Sequence, residues 1–186
     1  MNTLVTLHNA AFQRIERADW LLPTLARLLF AAILLGYFWS SALTKLGPGP
    51  LGLFMPSSGA YAQIFPRAFE AAGYDSSMLG LFHWAVATAG TLAELLLPAF
   101  IVLGLLTRLA ALAMSGFVVV QTLTDLYGHG AISEPATLGA WFDTAPDAVI
   151  LDQRALWFFL LITLVIKGAG PLSLDRLLTR PRPAQA

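Results

Sequence analysis

Four long apolar runs constrain this chain more than any other feature of its sequence. They cover residues 21–44, 83–104, 109–126 and 148–166. A helix needs about 20 mostly apolar residues to cross the hydrocarbon core of a bilayer. The runs are continuously apolar and do not alternate, which favours helices over the strands of a barrel. We therefore predict an all-α fold, an integral membrane four-helix bundle.

The composition supports a membrane protein and excludes several kinds of site. Hydrophobic residues make up 57% of the chain and charged residues only 12%, whereas soluble domains carry about 25% charged residues. The net charge is zero, so no basic field attracts nucleic acid. The absence of cysteine excludes disulfides, thiolate zinc sites, cysteine-ligated iron–sulfur clusters and thiol redox chemistry of the chain itself.

The segments between the apolar runs differ in length. A tight turn at residues 105–108 makes the second and third spans antiparallel neighbours. Two long loops, residues 46–82 and 127–147, separate the other spans, and loops of this length are usually functional or form a lid. Residues 60–72 predict a short amphipathic helix in the first loop. We expect a tail or an interfacial helix at 1–20, a transmembrane domain at 21–178 and a C-terminal tail at 179–186.

The distribution of Lys and Arg predicts the orientation, because cytoplasmic ends of spans are enriched in both. Eight of the eleven such residues lie on one side of the predicted bundle: Arg14, Arg17, Arg27, Arg108, Lys167, Arg176, Arg180 and Arg182. The other side holds Lys45, Arg67 and Arg154. We therefore predict that both termini are cytoplasmic and that both long loops lie outside.

Glu94 lies near the middle of the second predicted span, where a charged side chain is costly unless it is paired or protonated. His83, Ala87, Gly90 and Glu94 recur at helical spacing and share one face. Small residues on that face permit close helix approach or leave room for a ligand. Two interpretations stay open: a proton relay beside a quinone-sized pocket, or a structural carboxylate bonded to a neighbouring helix.

Other polar residues define candidates for such a pocket. For Arg27 we expect snorkelling to the head groups rather than binding of an anionic group. Lys45 either marks the membrane interface or meets a polar cluster in the outer half of the bundle. If the outer halves of the spans converge, they form a polar pocket whose candidates are His83, Gly90, Gln121, Asp125, Lys45 and Tyr37.

The histidines do not predict a haem. A bis-histidine haem at mid-membrane needs two ligands at matched depth inside spans, whereas His83 and His129 both lie near the outer surface. A metal held by His83, Asp125 and His129 is a weaker interpretation, since interface histidines are commonly solvated. We predict no haem, iron–sulfur cluster or metal.

The chain resembles the DoxX family of small four-helix membrane proteins. The first span opens on ARLL at 26–29 and closes on KL at 45–46, and Glu94 lies in an AEL run. GLLTRLAA at 104–111 is similar to the most recognisable stretch of the family, and GAGPLSLD at 168–175 is similar to its glycine-rich ending. The family-matched positions are Arg27, Lys45, Glu94, Thr107 and Arg108. The two long loops depart from the shorter members.

This resemblance implies a bacterial inner-membrane protein. Some members of the family are membrane subunits of thiosulfate:quinone oxidoreductases, and others are linked to complexes that handle oxidative or thiol stress. Among the family-matched positions we expect Glu94 to carry the function. We expect Arg108, which lies in the tight cytoplasmic turn, to anchor the topology and contact head groups.

Three functions are compatible with these observations. The first is a quinone-linked oxidoreductase subunit, in which Glu94 relays protons and a sulfur compound or partner protein supplies electrons to a quinone between spans one, two and three. The second is a non-enzymatic assembly subunit that docks a partner through residues 60–72 and the pair Trp141 and Phe142. The third is a small-solute carrier, which needs a homo-oligomer. Membrane lipid is a partner in each.

Overall fold

The computed structural model describes residues 2–179 and shows four apolar helices long enough to cross a membrane. These are α2 (Leu21–Lys45), α5 (Leu81–Leu103), α6 (Thr107–Gly128) and α8 (Val149–Lys167). The remaining helices are α1 (Asn2–Glu16), α3 (Ser58–Ile64), α4 (Pro66–Ala71), α7 (Pro135–Leu138) and α9 (Leu174–Leu178). The predicted all-α, four-span fold is confirmed, with span boundaries within two residues of the predicted ones. Of the predicted tail at 179–186, only Thr179 lies among the described residues.

The four spans pack in a closed ring in which α2 contacts α5, α5 contacts α6, α6 contacts α8, and α8 returns to α2. Large side chains fill the centre, among them the fully buried Phe30, Phe38 and Met114. The first half of α2 packs on α8, whereas its second half packs on α5. We call the end at which α2 begins and α8 ends the terminal end, and the opposite end the loop end.

Three of the four spans contain a π-helical turn, in which the backbone holds one extra residue relative to an α-helix. The turns cover Ala31–Leu35 in α2, Thr124–Gly128 in α6 and Val149–Gln153 in α8. The turns in α6 and α8 lie at the loop end of their spans. The turn in α2 lies just before the half of that span that carries polar side chains at the loop end. The turn in α6 continues the helix two residues beyond the predicted end.

The turn between α5 and α6 is shorter than predicted. Gly104 and Leu106 both have positive φ values, 69° and 48°, and α6 begins at Thr107, so Thr107 and Arg108 are helical. Gly104 is required here because a Cβ atom would lie 2.5 Å from the Cβ of Ser173 and 3.0 Å from the guanidinium of Arg27.

The first long loop folds differently from the prediction. The single helix expected at 60–72 is two short helices, α3 and α4, broken at Phe65. The break has a local cause, because Pro66 disfavours the helical conformation for the residue before it and Phe65 adopts φ −128° and ψ 55°. The loop is tied to the bundle by the indole of Trp84, which donates to the carbonyl of Phe54 at 2.9 Å.

Residues 2–16 form helix α1, so this segment is helical rather than irregular. Its apolar side chains Leu4, Phe12 and Ile15 are each more than half exposed. The interfacial position predicted for this helix stays a prediction.

Candidate functional site

A cavity of about 470 Å³ lies in the loop-end half of the bundle, between α2, α5 and α6. Its base is formed by Lys45 and Glu94, and Gln63, Ile64 and His129 contribute to it from the loops. The rest of the lining mixes small or apolar residues with a few polar ones: Tyr37, Ser41, Val86, Ala89, Gly90, Ala93, Gly116, Phe117, Val120, Gln121, Thr124 and Asp125. A mostly apolar concave site with few convergent polar groups is typical of small-molecule binding.

Lys45 and Glu94 form a buried ion pair in this cavity. The Nζ atom of Lys45 donates to both carboxylate oxygens of Glu94, at 2.8 Å and 3.1 Å. The two side chains are only 4% and 5% exposed. The hydroxyl of Ser41 accepts from Lys45 at 2.6 Å and donates to Glu94 at 3.3 Å. The costly carboxylate of the second span is therefore paired, and Lys45 is its donor.

The backbone beside this pair is also unusual. Pro98 lies four residues after Glu94 within α5. Proline has no N–H group, so the backbone carbonyl of Glu94 lacks its normal helical donor. A polar side chain and a backbone carbonyl without its usual helical donor thus occur at the same position of the span.

Tyr37 and Gln121 form a second polar contact across the cavity. The amide nitrogen of Gln121 donates to the Tyr37 hydroxyl oxygen at 2.8 Å. The amide oxygen of Gln121 is buried and has no hydrogen-bond partner among residues 2–179. The hydroxyl hydrogen of Tyr37 is likewise not used in any contact within that range. The site therefore offers one free acceptor and one free donor.

The side of the cavity next to α8 carries an ion pair that sequence reasoning missed. Arg154 is 3% exposed and donates to Asp125 and, at 2.8 Å, to the hydroxyl of Thr122. Its guanidinium also lies 5.9 Å from the ring centroid of Trp157. The sequence interpretation counted Arg154 only as an outer-side cation. The available signal was an arginine inside an apolar run, which must find a partner.

The structure brings most of the predicted pocket residues together. Glu94, Lys45, Tyr37, Gly90, Gln121 and Asp125 line the cavity. His83 is the exception, since its ring packs against Phe65 and Phe82, with centroids 4.8 Å and 5.7 Å away. Their functional roles stay predictions. No group of three or more metal-ligating side chains within residues 2–179 could hold a metal ion.

Arg27 does not behave as a snorkelling residue, and that expectation is wrong. Its guanidinium donates to four backbone carbonyls, two in α5 and two in the segment after α8: Ile101, Val102, Ala169 and Leu172. The carbonyls of Ile101 and Val102 lie in the last turn of α5, where carbonyls lack the usual i+4 donor, and Ile101 also accepts from the N–H of Gly104 at 3.1 Å. Arg27 therefore links α2 to α5 and to the chain after α8.

The family-matched Thr107 takes part in a second link at the terminal end. Asp175 accepts from the backbone N–H groups of Leu106 and Thr107, at 2.6 Å and 2.9 Å, and from the Thr107 hydroxyl at 2.8 Å. Burial tends to raise the pKa of Asp175, but these hydrogen bonds and the charge of Arg27 outweigh burial and lower it. The ionised carboxylate thus caps the first turn of α6.

Comparison with known proteins gives one match. A family model described as DoxX matches residues 22–125, more than half of the chain. The matched region contains α2, α5 and most of α6, and so all three helices that line the loop-end cavity. No curated protein and no solved structure matches the chain.

Proposed function

The chain belongs to the DoxX family, and we propose that it is a membrane subunit of a quinone-linked oxidoreductase that binds the quinone head group in the loop-end cavity. The observation that carries this proposal is the buried Lys45–Glu94 pair lining a mostly apolar cavity of head-group size. We place the protein in a bacterial inner membrane with the loop end outside, following the distribution of Lys and Arg.

The polar groups in the cavity match the chemistry of quinone reduction. A quinone takes up two electrons and two protons to become a quinol, and both protons go to its carbonyl oxygens. The free hydroxyl hydrogen of Tyr37 suits one carbonyl oxygen, and Lys45 suits the other once it exchanges one of its hydrogen bonds to Glu94 or Ser41 for one to the quinone. The carboxylate of Glu94 stabilises the charged form of Lys45. It also accepts the proton that arrives from the outer side after the quinone has been reduced. Asp125 and His129, nearer the loops, provide groups through which protons reach the pair.

The electrons must come from outside the chain. The sequence contains no cysteine, and its histidines are not placed for a bis-histidine haem. A sulfur compound or a redox partner protein is therefore the donor, and the two long outer loops are the surfaces available for its approach.

The cavity also has a lateral opening suited to a lipophilic substrate. Ala89, Gly116 and Val120 line the cavity and are exposed on the surface of the bundle. A Cβ atom on Gly116 would meet no atom within 4 Å. A quinone can thus enter from the bilayer between α5 and α6, without crossing the loops.

The opening provides a test with a matched control. An added Cβ meets no atom within 4 Å at either Gly116 or Gly36, but only Gly116 lines the cavity. We therefore expect the side chain of Gly116→Leu to narrow the opening and that of Gly36→Leu to leave it unchanged. We expect decylubiquinone binding, measured by titration in mild detergent, to fall about tenfold or more in Gly116→Leu and Glu94→Gln. Gly36→Leu should bind like the wild type. Equal binding by Gly116→Leu and Gly36→Leu, or no binding by the wild type, would contradict the proposal.

The same preparations separate the two other functions. A stoichiometric protein partner that co-purifies with both wild type and Glu94→Gln, without quinone, indicates an assembly subunit. Uptake of a polar solute into sealed vesicles that depends on Glu94 indicates a carrier.

A further inference from the structure

A second cavity, of about 540 Å³, lies at the terminal end and is separate from the proposed quinone site. It is formed by the first residues of α6, the last residue of α8 and the segment from Gly168 to α9. Three cations line it: Arg108, Lys167 and Arg176.

The positive charge of this cavity is not neutralised by its surroundings. Within residues 2–179, the side chains of Arg108 and Arg176 have no hydrogen-bond or ion-pair partner. Lys167 lies 3.7 Å from Asp19, but both side chains are exposed, and such surface pairs are weak. Asp175 is the carboxylate that lines the cavity, and its oxygens already accept three hydrogen bonds from the start of α6.

The backbone conformation at Gly168 lets the side chain of Arg108 lie close to it, beside the cavity. Arg108 lies against Gly168, where a Cβ atom would be 3.2 Å from its Nε atom. Gly168 has φ +79°, a conformation that favours glycine. The close approach brings a cation of α6 next to the end of α8.

The depth of the cavity indicates the source of its ligand. Arg108 lies at the first turn of one span and Lys167 at the last residue of another, which is the level of the lipid head groups. Leu106 and Leu109, which line the cavity, are 55% and 65% exposed. A phosphate alone would use only the cations, whereas a phospholipid would also cover these apolar side chains.

We propose that this cavity binds the phosphate head group of an anionic phospholipid, with Arg108, Lys167 and Arg176 contacting the head group and the neighbouring leucines contacting an acyl chain. Basic pockets between spans are the usual form of such sites. The site does not depend on the function proposed for the loop end.

The test is native mass spectrometry of the full chain in detergent with added phosphatidylglycerol or phosphatidylcholine. We expect wild type to retain phosphatidylglycerol in preference to phosphatidylcholine. Arg108→Gln and Arg176→Gln should each weaken phosphatidylglycerol binding about fivefold. Arg176→Lys should retain binding. Arg14→Gln is the matched control, because Arg14 is exposed on α1 and does not line the cavity.

Three results would overturn the proposal. Equal retention of the two lipids by wild type would show that the cavity does not select for the negative charge of phosphatidylglycerol. Equal weakening in Arg14→Gln would show a non-specific effect of net charge. Full displacement of phosphatidylglycerol by equimolar glycerol phosphate would show a site for free phosphate instead of a lipid.

Discussion

The two ends of the bundle handle buried charge in different ways. At the terminal end, Arg27 donates to backbone carbonyls in the last turn of α5 and in the chain after α8, and Asp175 accepts from backbone N–H groups at the start of α6. These two charges therefore bond to backbone groups near helix ends. At the loop end, Lys45 and Glu94 meet each other and surround a cavity. The comparison separates charges that hold the bundle together from charges that are available to a ligand.

Buried polar atoms without hydrogen-bond partners are a second feature that distinguishes the loop end from the terminal end. The loop-end half contains buried atoms without partners among residues 2–179, including the Gln121 amide oxygen and the Arg154 Nε atom. Burying such atoms costs about 1–3 kcal/mol each. A site that binds polar ligands can recover this cost on binding, whereas a purely structural cluster gains nothing by leaving them unpaired.

The largest effect should come from breaking the loop-end pair. Lys45→Met leaves the Glu94 carboxylate buried without its cation and should destabilise the protein by about 3–5 kcal/mol. Lys45→Met combined with Glu94→Leu should recover most of that loss, because well-packed apolar residues commonly replace buried pairs at little cost. Thermal unfolding in detergent measures both.

Quinone binding by the double variant then decides the role of the pair. A stable double variant that no longer binds decylubiquinone places the pair in function. A double variant as unstable as Lys45→Met would instead make the pair structural, like Arg27 and Asp175 at the terminal end.

A somewhat smaller loss is expected at the terminal end. Arg27→Met removes four hydrogen bonds to backbone carbonyls and should cost about 3 kcal/mol, seen as a lower Tm in detergent. Arg27→Lys should recover part of the loss, since an ammonium cannot reach all four carbonyls at once. Folded Arg27→Met should still bind decylubiquinone, because Arg27 does not line the loop-end cavity. Lost binding in a well-folded sample would contradict the separation of the two ends.

The smallest effect concerns Asp175. Its pKa is lowered from the usual 3.8 by the hydrogen bonds to Thr107 and Leu106, so folding favours the ionised form. The contribution to stability is therefore complete above about pH 4 and is lost as the pH falls through the lower, folded-state pKa. Asp175→Asn should lower stability by about 1 kcal/mol at neutral pH, as loss of a helix cap does.

The pH dependence isolates this residue. Asp75 also has a lowered pKa, because its carboxylate accepts from the side chain and backbone of Ser77, and it titrates in the same range. Between pH 3 and 7, the Tm of Asp175→Asn should fall less steeply at the acid end than the Tm of the wild type. Asp75→Asn is the control for loss of another carboxylate with a lowered pKa. Identical curves for Asp175→Asn and wild type would show that the cap does not contribute.

The spans could be predicted because their signal is local. Each apolar run contains its own evidence, and the boundaries at Leu21 and Lys45 need no knowledge of the rest of the chain. The breaks were less predictable: Pro66 divides the helix expected at 60–72, and the positive φ of Leu106 shortens the turn before α6. The break at Phe65 has a local signal in Pro66 that the prediction overlooked, whereas the backbone of Leu106 contacts Asp175, which lies 69 residues away.

The partners of the charged residues could not be predicted, because they lie far apart in sequence. Glu94 was expected to pair with a donor or stay protonated, but nothing local identifies Lys45, which lies 49 residues away. Arg27 was misjudged because its acceptors are backbone carbonyls, one of them 145 residues away, and backbone carbonyls leave no trace in the residue types. Arg154 was missed for a different reason: an arginine inside an apolar run signals a partner, but Thr122 and Asp125 lie 32 and 29 residues away.

The π-helical turns have a consequence for how this sequence can change. Each holds one residue more than an α-helix would, so deleting one residue there lets the turn close into regular helix while the side chains beyond it keep their faces. A deletion in a regular part of a span instead rotates everything beyond it by about 100°. A deletion of one residue within Ala31–Leu35 therefore leaves Tyr37 and Lys45 directed at the cavity. Span length can thus change by one residue at these turns without changing the cavity, whereas a gap of one residue elsewhere in α2 in an alignment of related chains marks a different cavity.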